Sequence, residues 1–397
     1  MRNWKRLAAV ALLSLFVAVA GCAETTSPLE FPDWMLPVPE GTPVREYAPV
    51  PRDQRDPGAI VLTEDLVIGG DPESIFYSAP RIEVGSDGTI YALDTQDRSV
   101  RTFSPEGELL RKFGREGQGP GEMQQGRGIT VAGQHLLISD GSVRTRILVF
   151  SLDGEPIATH QTASRLGLNI KGLPDGTFVE SALRSAEDRS LRRVGGRYTV
   201  EGEVLREYFD LEGVPPRELP TTPDRVLLRE SSLRYYIHAT SVRPVNLQTT
   251  GERLYATLSD QYEVLAMDLD GAPIWAVRVA WPLPPYPEGM KTMFAGQAAR
   301  SDIDPETLEY PEHDVAVGTA RMDGHGRLYV FPNPGEQPED DPYVPVDVFS
   351  PEGELIVAAL GPASWSTAHG DHVYFTRHDE ESDTWYVVRS RLTLNAR

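Results

Sequence analysis

The side chains able to do chemistry are few and scattered. Eight histidines occur, at positions 135, 160, 238, 313, 325, 369, 372 and 378, and His369-x-x-His372 is their only close pair. Neither H-E-x-x-H nor H-x-H is present, so the spacing that sets two imidazoles on one metal is missing. On a strand the 369/372 pair points to opposite faces, unless a turn at Gly370 brings the rings together. The acidic runs Glu339-Asp340-Asp341 and Asp379-Glu380-Glu381-Ser382-Asp383 offer hard oxygen donors. They lack the alternating spacing and turning glycine that wrap ligands around calcium, and read as solvated loops. Gly114, Gly117, Gly119 and Gly121 would cradle a phosphate only between a strand and a helix N-terminus. A strand pattern follows them, so they read as a turn between sheets. No G-x-S-x-G elbow exists and Cys22 is the only cysteine, so no catalytic residue is assigned. No metal ligand set and no cofactor are expected, with a divalent cation in an axial channel kept open as the alternative.

Long interruptions in an otherwise regular pattern are the other place for function. One is 212–244, with Arg234-Tyr235-Tyr236-Ile237-His238 and Arg243; the other is 281–314, with Trp281 and Tyr286. Tyr235, Tyr236, His238, Arg243, Trp281 and Tyr286 are therefore the candidate ligand-binding residues, since aromatic and arginine side chains on loops make good anchors. The competing reading packs these side chains onto the rim of the domain. Within the second loop the spacing of Met290, Met293, Phe294 and Ala298 predicts a short amphipathic helix over 288–300.

The elements that must carry these loops are strands. Phe103-Ser104-Pro105-Glu106-Gly107-Glu108-Leu109 recurs unchanged as Phe349-Ser350-Pro351-Glu352-Gly353-Glu354-Leu355, with looser copies at 150–155 and 267–272. Ser or Asp first, Pro second and Gly fourth suit a type I turn with a left-handed glycine, which joins two antiparallel strands. A second element, a turn and then a short apolar strand, precedes each copy, as in Asp87-Gly88-Thr89-Ile90-Tyr91-Ala92-Leu93-Asp94. Together they make a four-stranded antiparallel sheet that cannot bury both faces alone, so several must stack radially. The fold class is all-β, a six-bladed β-propeller of four-stranded antiparallel blades. Its units begin near Arg81, Gly128, Ile170, Val245, Ala316 and Trp365. The last unit is short, and Ile60–Val67 is a spare strand that can complete it and remove the open edge.

Gly117-Gln118-Gly119-Pro120-Gly121-Glu122-Met123, followed by Ile129-Thr130-Val131 and a strand ending in Asp140, resembles the linker motif of NHL-repeat six-bladed propellers. The match is good over 80–158, partial over 250–275 and 315–357, and poor elsewhere. The resemblance implies fold more than activity, because such propellers include protein-binding modules, amidating lyases and structural relatives among lactonases. Lactonase-type propellers hold one divalent ion in the channel with Glu, Asp and Asn, and none of Asn169, Asn246, Asn333 and Asn395 lies in a matching motif.

The N-terminus addresses location. Arg2, Lys5 and Arg6 precede an apolar stretch from Leu7 to Ala20, too short to span a bilayer comfortably and typical of a cleaved export signal. Val19-Ala20-Gly21-Cys22 resembles the bacterial lipobox, which implies cleavage before Cys22 and lipidation of its thiol. The expected organisation is a signal peptide over 1–21, a lipidated cysteine and Pro-rich stalk over 22–57, and the propeller over 58–397. Loss of the signal leaves 35 basic against 59 acidic side chains, a net charge of −24. Such a surface repels nucleic acid. The partners expected are a membrane, through the lipid, and a protein or small-molecule ligand. By resemblance to sorting rules, Ala23 after the cysteine points to the outer membrane or cell surface. The function expected is a tethered binding or scaffolding lipoprotein rather than an enzyme. A channel-site hydrolase or lyase and a carbohydrate-recognition module are the alternatives.

Overall fold

The computed structural model describes residue 38 and residues 40–395, apart from 142–144, 162–164, 186–190, 213–244, 259–260, 301–303, 309, 311, 336–342 and 363. Six four-stranded antiparallel sheets follow one another along the chain. Blade 1 runs from Arg81–Val84 to Leu109–Phe113, blade 2 from Gly126–Ala132 to Pro156–Gln161, and blade 3 from Arg165–Gly172 to Val204–Glu212. Blade 4 runs from Val245–Thr249 to Pro273–Val279, and blade 5 from Val317–Met322 to Leu355–Pro362. In each the first strand is innermost, and consecutive inner strands touch around a closed ring. The predicted blade count holds, and the starts agree within a few residues, except that blade 3 begins at Arg165 rather than near Ile170.

Blade 6 is built from both ends of the chain. Thr367–His369, His372–Asp379 and Thr384–Leu394 are joined by Ile60–Ile68, which pairs antiparallel with the last of them as the outermost strand. The spare N-terminal strand thus closes the ring as its sequence suggested.

The repeated heptapeptide forms the same hairpin twice. Gly107 and Gly353 take φ of 90° and 81°, and each amide donates to the carbonyl of Ser104 or Ser350 at 2.9 Å. Each serine hydroxyl also accepts two amides of its own turn. Apolar residues alternate along the strands so that one face of each sheet packs on the preceding blade and the other on the following one. Leu136 and Ile138 face blade 1, whereas Leu137 faces blade 3. Each such fully buried aliphatic side chain contributes about 1.5–3 kcal/mol.

The chain before the closing strand also lies on the propeller. Val44–Tyr47 adds a fifth, parallel strand outside blade 4, and Arg55 is buried against Asp347 of blade 5. Prolines at 43, 49 and 51 keep this segment extended, and Tyr47 and Arg55 supply what holds it down. Cys22 and the start of the expected stalk lie outside the described residues.

Strand direction divides the molecule into two faces. Inner strands begin on the upper face, which also receives 281–314; the repeated hairpins end on the lower face. The predicted helix is present as α1, Glu288–Arg300. Phe294 and Ala298 are buried against Met290, Leu308 and Tyr310, whereas Met293 is exposed.

Candidate functional site: the axial ring

Each inner strand carries a polar residue opposite an inward position of the second strand. Glu83 pairs with Tyr91, Thr130 with Leu137 and Lys171 with Val179. Gln248 pairs with Tyr255, Arg321 with Tyr329 and Thr367 with Tyr374. All six strand partners pack on the face toward the following blade. Directly opposite residues of an antiparallel pair share a face, so the six polar side chains occupy equivalent places around the axis.

Their neighbours divide them into two kinds. Thr130 and Gln248 are buried in the seams: the Thr130 hydroxyl accepts from Gly172 N at 2.8 Å, and Gln248 Nε2 donates to Ala320 O at 3.1 Å. Arg321 also reaches across a seam, donating from Nε to Trp365 O at 2.6 Å and from Nη1 to Ala320 O at 2.8 Å. Glu83, Lys171 and Thr367 make no such seam bonds among the described residues. Glu83, Lys171, Arg321 and Thr367 are each only partly buried.

Glu83, Lys171 and Arg321 stand on alternate blades, and their fields meet. Burial within the ring pushes the Glu83 carboxyl up, against the pull of Lys171. Burial pushes the Lys171 ammonium down, with Glu83 opposing and Arg321 reinforcing the fall. Arg321 is likewise lowered by burial and by Arg81, which lies two residues before Glu83 at the upper mouth. Glu83, Lys171 and Arg321 thus share one level of the inner ring, with Arg81 two residues earlier on the strand of Glu83.

The ring was not singled out from sequence, although a signal exists. Ile82-Glu83-Val84, Ile129-Thr130-Val131, Ile170-Lys171-Gly172, Leu247-Gln248-Thr249 and Ala320-Arg321-Met322 each set one polar residue in an apolar strand. Only the pairing register shows that they share a level.

The residues chosen from sequence lie elsewhere. Tyr235, Tyr236, His238 and Arg243 fall outside the described residues. Trp281 is half-buried on the core between blades 4 and 5, its Nε1 donating to Asn333 O at 2.8 Å and Arg55 Cζ lying 5.4 Å from the ring centroid. Tyr286 is buried and stacked on Tyr310, centroids 6.0 Å apart. Both therefore pack the upper loop onto the body, an arrangement that does not favour stacking on a sugar.

His369 and His372 face each other across a hairpin turn, but His372 Nε2 is 2.8 Å from Asp65 Oδ2. No group of three or more His, Cys, Asp or Glu side chains with metal-holding geometry occurs among the described residues. Asp379 accepts Glu381 N at 3.0 Å within its own turn, and 339–341 lie outside the described residues.

The glycine motif is an interblade latch. Arg146 donates to the carbonyls of Gln118, Gly117 and Glu122 and to the Asp140 carboxylate, which also accepts the amides of Gln124 and Gln125. A strand from Gly126 follows it. The turn expected from the sequence is found, and no phosphate cradle.

No known family pattern matches the chain, and no curated protein matches it. Solved structures do. A Bacteroides fragilis protein named for its expected export aligns over 88% of this chain and 99% of its own, at 10% identity and a TM-score of 0.50. A member of the DUF4221 family from Bacteroides vulgatus aligns over 85% and 99%, at 11% identity and a TM-score of 0.51. A luciferin-regenerating enzyme aligns over 83% and 97%, at 11% identity and a TM-score of 0.42. The likeness is one of fold. No helix among the described residues is long and apolar enough to cross a membrane.

Proposed function

We propose that the protein is an exported, lipid-tethered binding protein whose ligand enters the axial channel and is read by Glu83, Lys171, Arg321 and Thr367 of the inner ring. The observation that carries the reading is that Glu83, Lys171, Arg321 and Thr367, all only partly buried, stand at one level of the inner strands. Polar groups set in apolar surroundings cost free energy unless paired, so unpaired ones facing a lumen suit a partner that arrives from outside. The tether rests on Cys22 behind an export signal.

The enzymatic alternative asks for either a channel metal or a nucleophile. Lys171 and Arg321 share the level of the single carboxylate Glu83, and their charges repel a divalent cation there. The binding reading therefore stands first.

The test is retention of small molecules. The full chain, purified in detergent after exposure to a bacterial extract, is unfolded and its retained compounds are identified by mass spectrometry. Thr367→Trp, which fills the lumen at the ring, is expected to abolish retention while leaving the melting temperature nearly unchanged. Equal retention by that variant would remove the channel as the site. For the tether, Cys22→Ser should release the chain from membranes, and persistent attachment would sink that part of the reading.

A further inference from the structure

We infer that the channel ligand carries an oxyanion, a carboxylate or phosphate head, held between Lys171 and Arg321 with Arg81 toward the upper mouth. This rests on the channel being the binding site.

The argument is one of charge compensation. The chain carries a net charge of −21, and its fully buried guanidinium groups have carboxylate partners. Arg55 pairs with Asp347 at 2.8 Å, Arg101 with Asp97 at 3.0 Å and Arg146 with Asp140 at 2.8 Å. Arg389 meets Asp65 at 2.8 Å. Lys171 and Arg321, partly buried on the inner strands, are not paired in this way. Neither has a carboxylate within ion-pair distance among the described residues, although Glu83 stands on the same level and pulls on Lys171.

Arg321 is instead oriented by neutral groups. Nε and Nη1 are held by Trp365 O, Ala320 O and, at 2.5 Å, the Thr319 hydroxyl. That fixes the plane of the guanidinium and leaves Nη2 without a bond to any described residue. Lys171 Nζ is likewise uncommitted. Two cations enclosed by protein with no bonded counter-charge are destabilising. An oxyanion between them supplies that counter-charge and accepts charge-assisted hydrogen bonds from both. Glu83 faces the remainder of the ligand, where its carboxylate suits a hydroxyl or amino donor and weakens a second anionic group.

Isothermal titration calorimetry on the full chain in detergent tests this, with sodium succinate, sodium glycolate and inorganic phosphate as probes in a chloride-matched buffer. At least one probe is expected to bind the native chain, and which one separates a carboxylate from a phosphate. Lys171→Gln and Arg321→Gln should each weaken it by on the order of tenfold, while Glu83→Gln should tighten it. Lys171 makes no seam bond, so Lys171→Gln decides alone if Arg321→Gln unfolds the seam with blade 6. Absence of binding by all three probes, or equal binding by Lys171→Gln, overturns the inference. Retained compounds that are lost in Thr367→Trp but carry no anionic group would also overturn it, while leaving the channel as the binding site.

Discussion

Arg55 Nη1 and Asp347 Oδ1 lie 2.8 Å apart with both side chains buried, joining the segment before the closing strand to the third strand of blade 5. The Tyr262 hydroxyl donates to the other Asp347 oxygen at 2.8 Å, so blade 4 enters the same contact. Removing Arg55 leaves the Asp347 carboxylate buried with a single hydrogen bond. Arg55→Ala should therefore cost about 3–5 kcal/mol, read as a lower denaturation midpoint.

The same pair sets a pH dependence. Burial pushes the Asp347 carboxyl above its ordinary value and Arg55 opposes the rise. A carboxyl raised by folding contributes stability below its unfolded value and loses it as pH rises through the folded value. Arg55→Ala removes the opposing charge and raises the carboxyl further. Its deficit against the native chain should be largest at neutral pH and shrink as pH falls. A deficit independent of pH would mean that lost packing of Arg55 dominates.

The ring closure gives a prediction of opposite sign. Burial opposes ionisation of Asp65, but Arg389 and His372 more than compensate and hold its carboxyl below the ordinary value of 3.8. Its contribution is complete above that value and is lost as pH falls through the depressed folded one. Asp65→Asn should cost about 1 kcal/mol at neutral pH, and the two proteins should converge as pH falls through the depressed folded value. Hydrogen exchange in Ile60–Ile68 should rise in the variant.

The interblade latch is tested by Arg146→Gln. Five acceptor contacts converge on this guanidinium, from Asp140 and the carbonyls of the glycine motif. The substitution leaves buried Asp140 without its counter-charge, at a cost of about 3 kcal/mol. The Gln124 and Gln125 amides should exchange faster, since their shared acceptor loses its anchor.

The repeated hairpin separates conformational from steric effects. Gly353 and Gly176 have φ of 81° and 87°, so either alanine substitution costs about 1 kcal/mol. A Cβ at Gly353 would stand 2.7 Å from the Trp275 ring, whereas nothing lies within 4 Å of one at Gly176. Gly353→Ala should thus lower the melting temperature clearly more than Gly176→Ala; equal effects would mean that Trp275 yields freely.

The fold was legible because its signals are local. The heptapeptide at 103–109 names its own turn through Ser, Pro and Gly, and an identical copy at 349–355 states the repeat. Helix α1 was legible from four apolar positions, though Met293 turned out to face solvent. The ring was not legible, because Glu83, Thr130, Lys171, Gln248, Arg321 and Thr367 share no residue type. Their common feature is a place opposite Tyr91, Leu137, Val179, Tyr255, Tyr329 and Tyr374. Trp281 and Tyr286 drew attention as aromatics in a long loop, yet a loop of 281–314 needs its own apolar side chains to settle on the body.

The outermost strand of blade 6 begins at Ile60, while its partner ends at Leu394. Translation makes the first long before the second. That outermost strand therefore stays without its hydrogen-bonding neighbour until Thr384–Leu394 has been made, and its alternating Leu62, Leu66 and Ile68 remain available to other chains until then. A product truncated before Thr384 has five sound blades and no way to shut the circle.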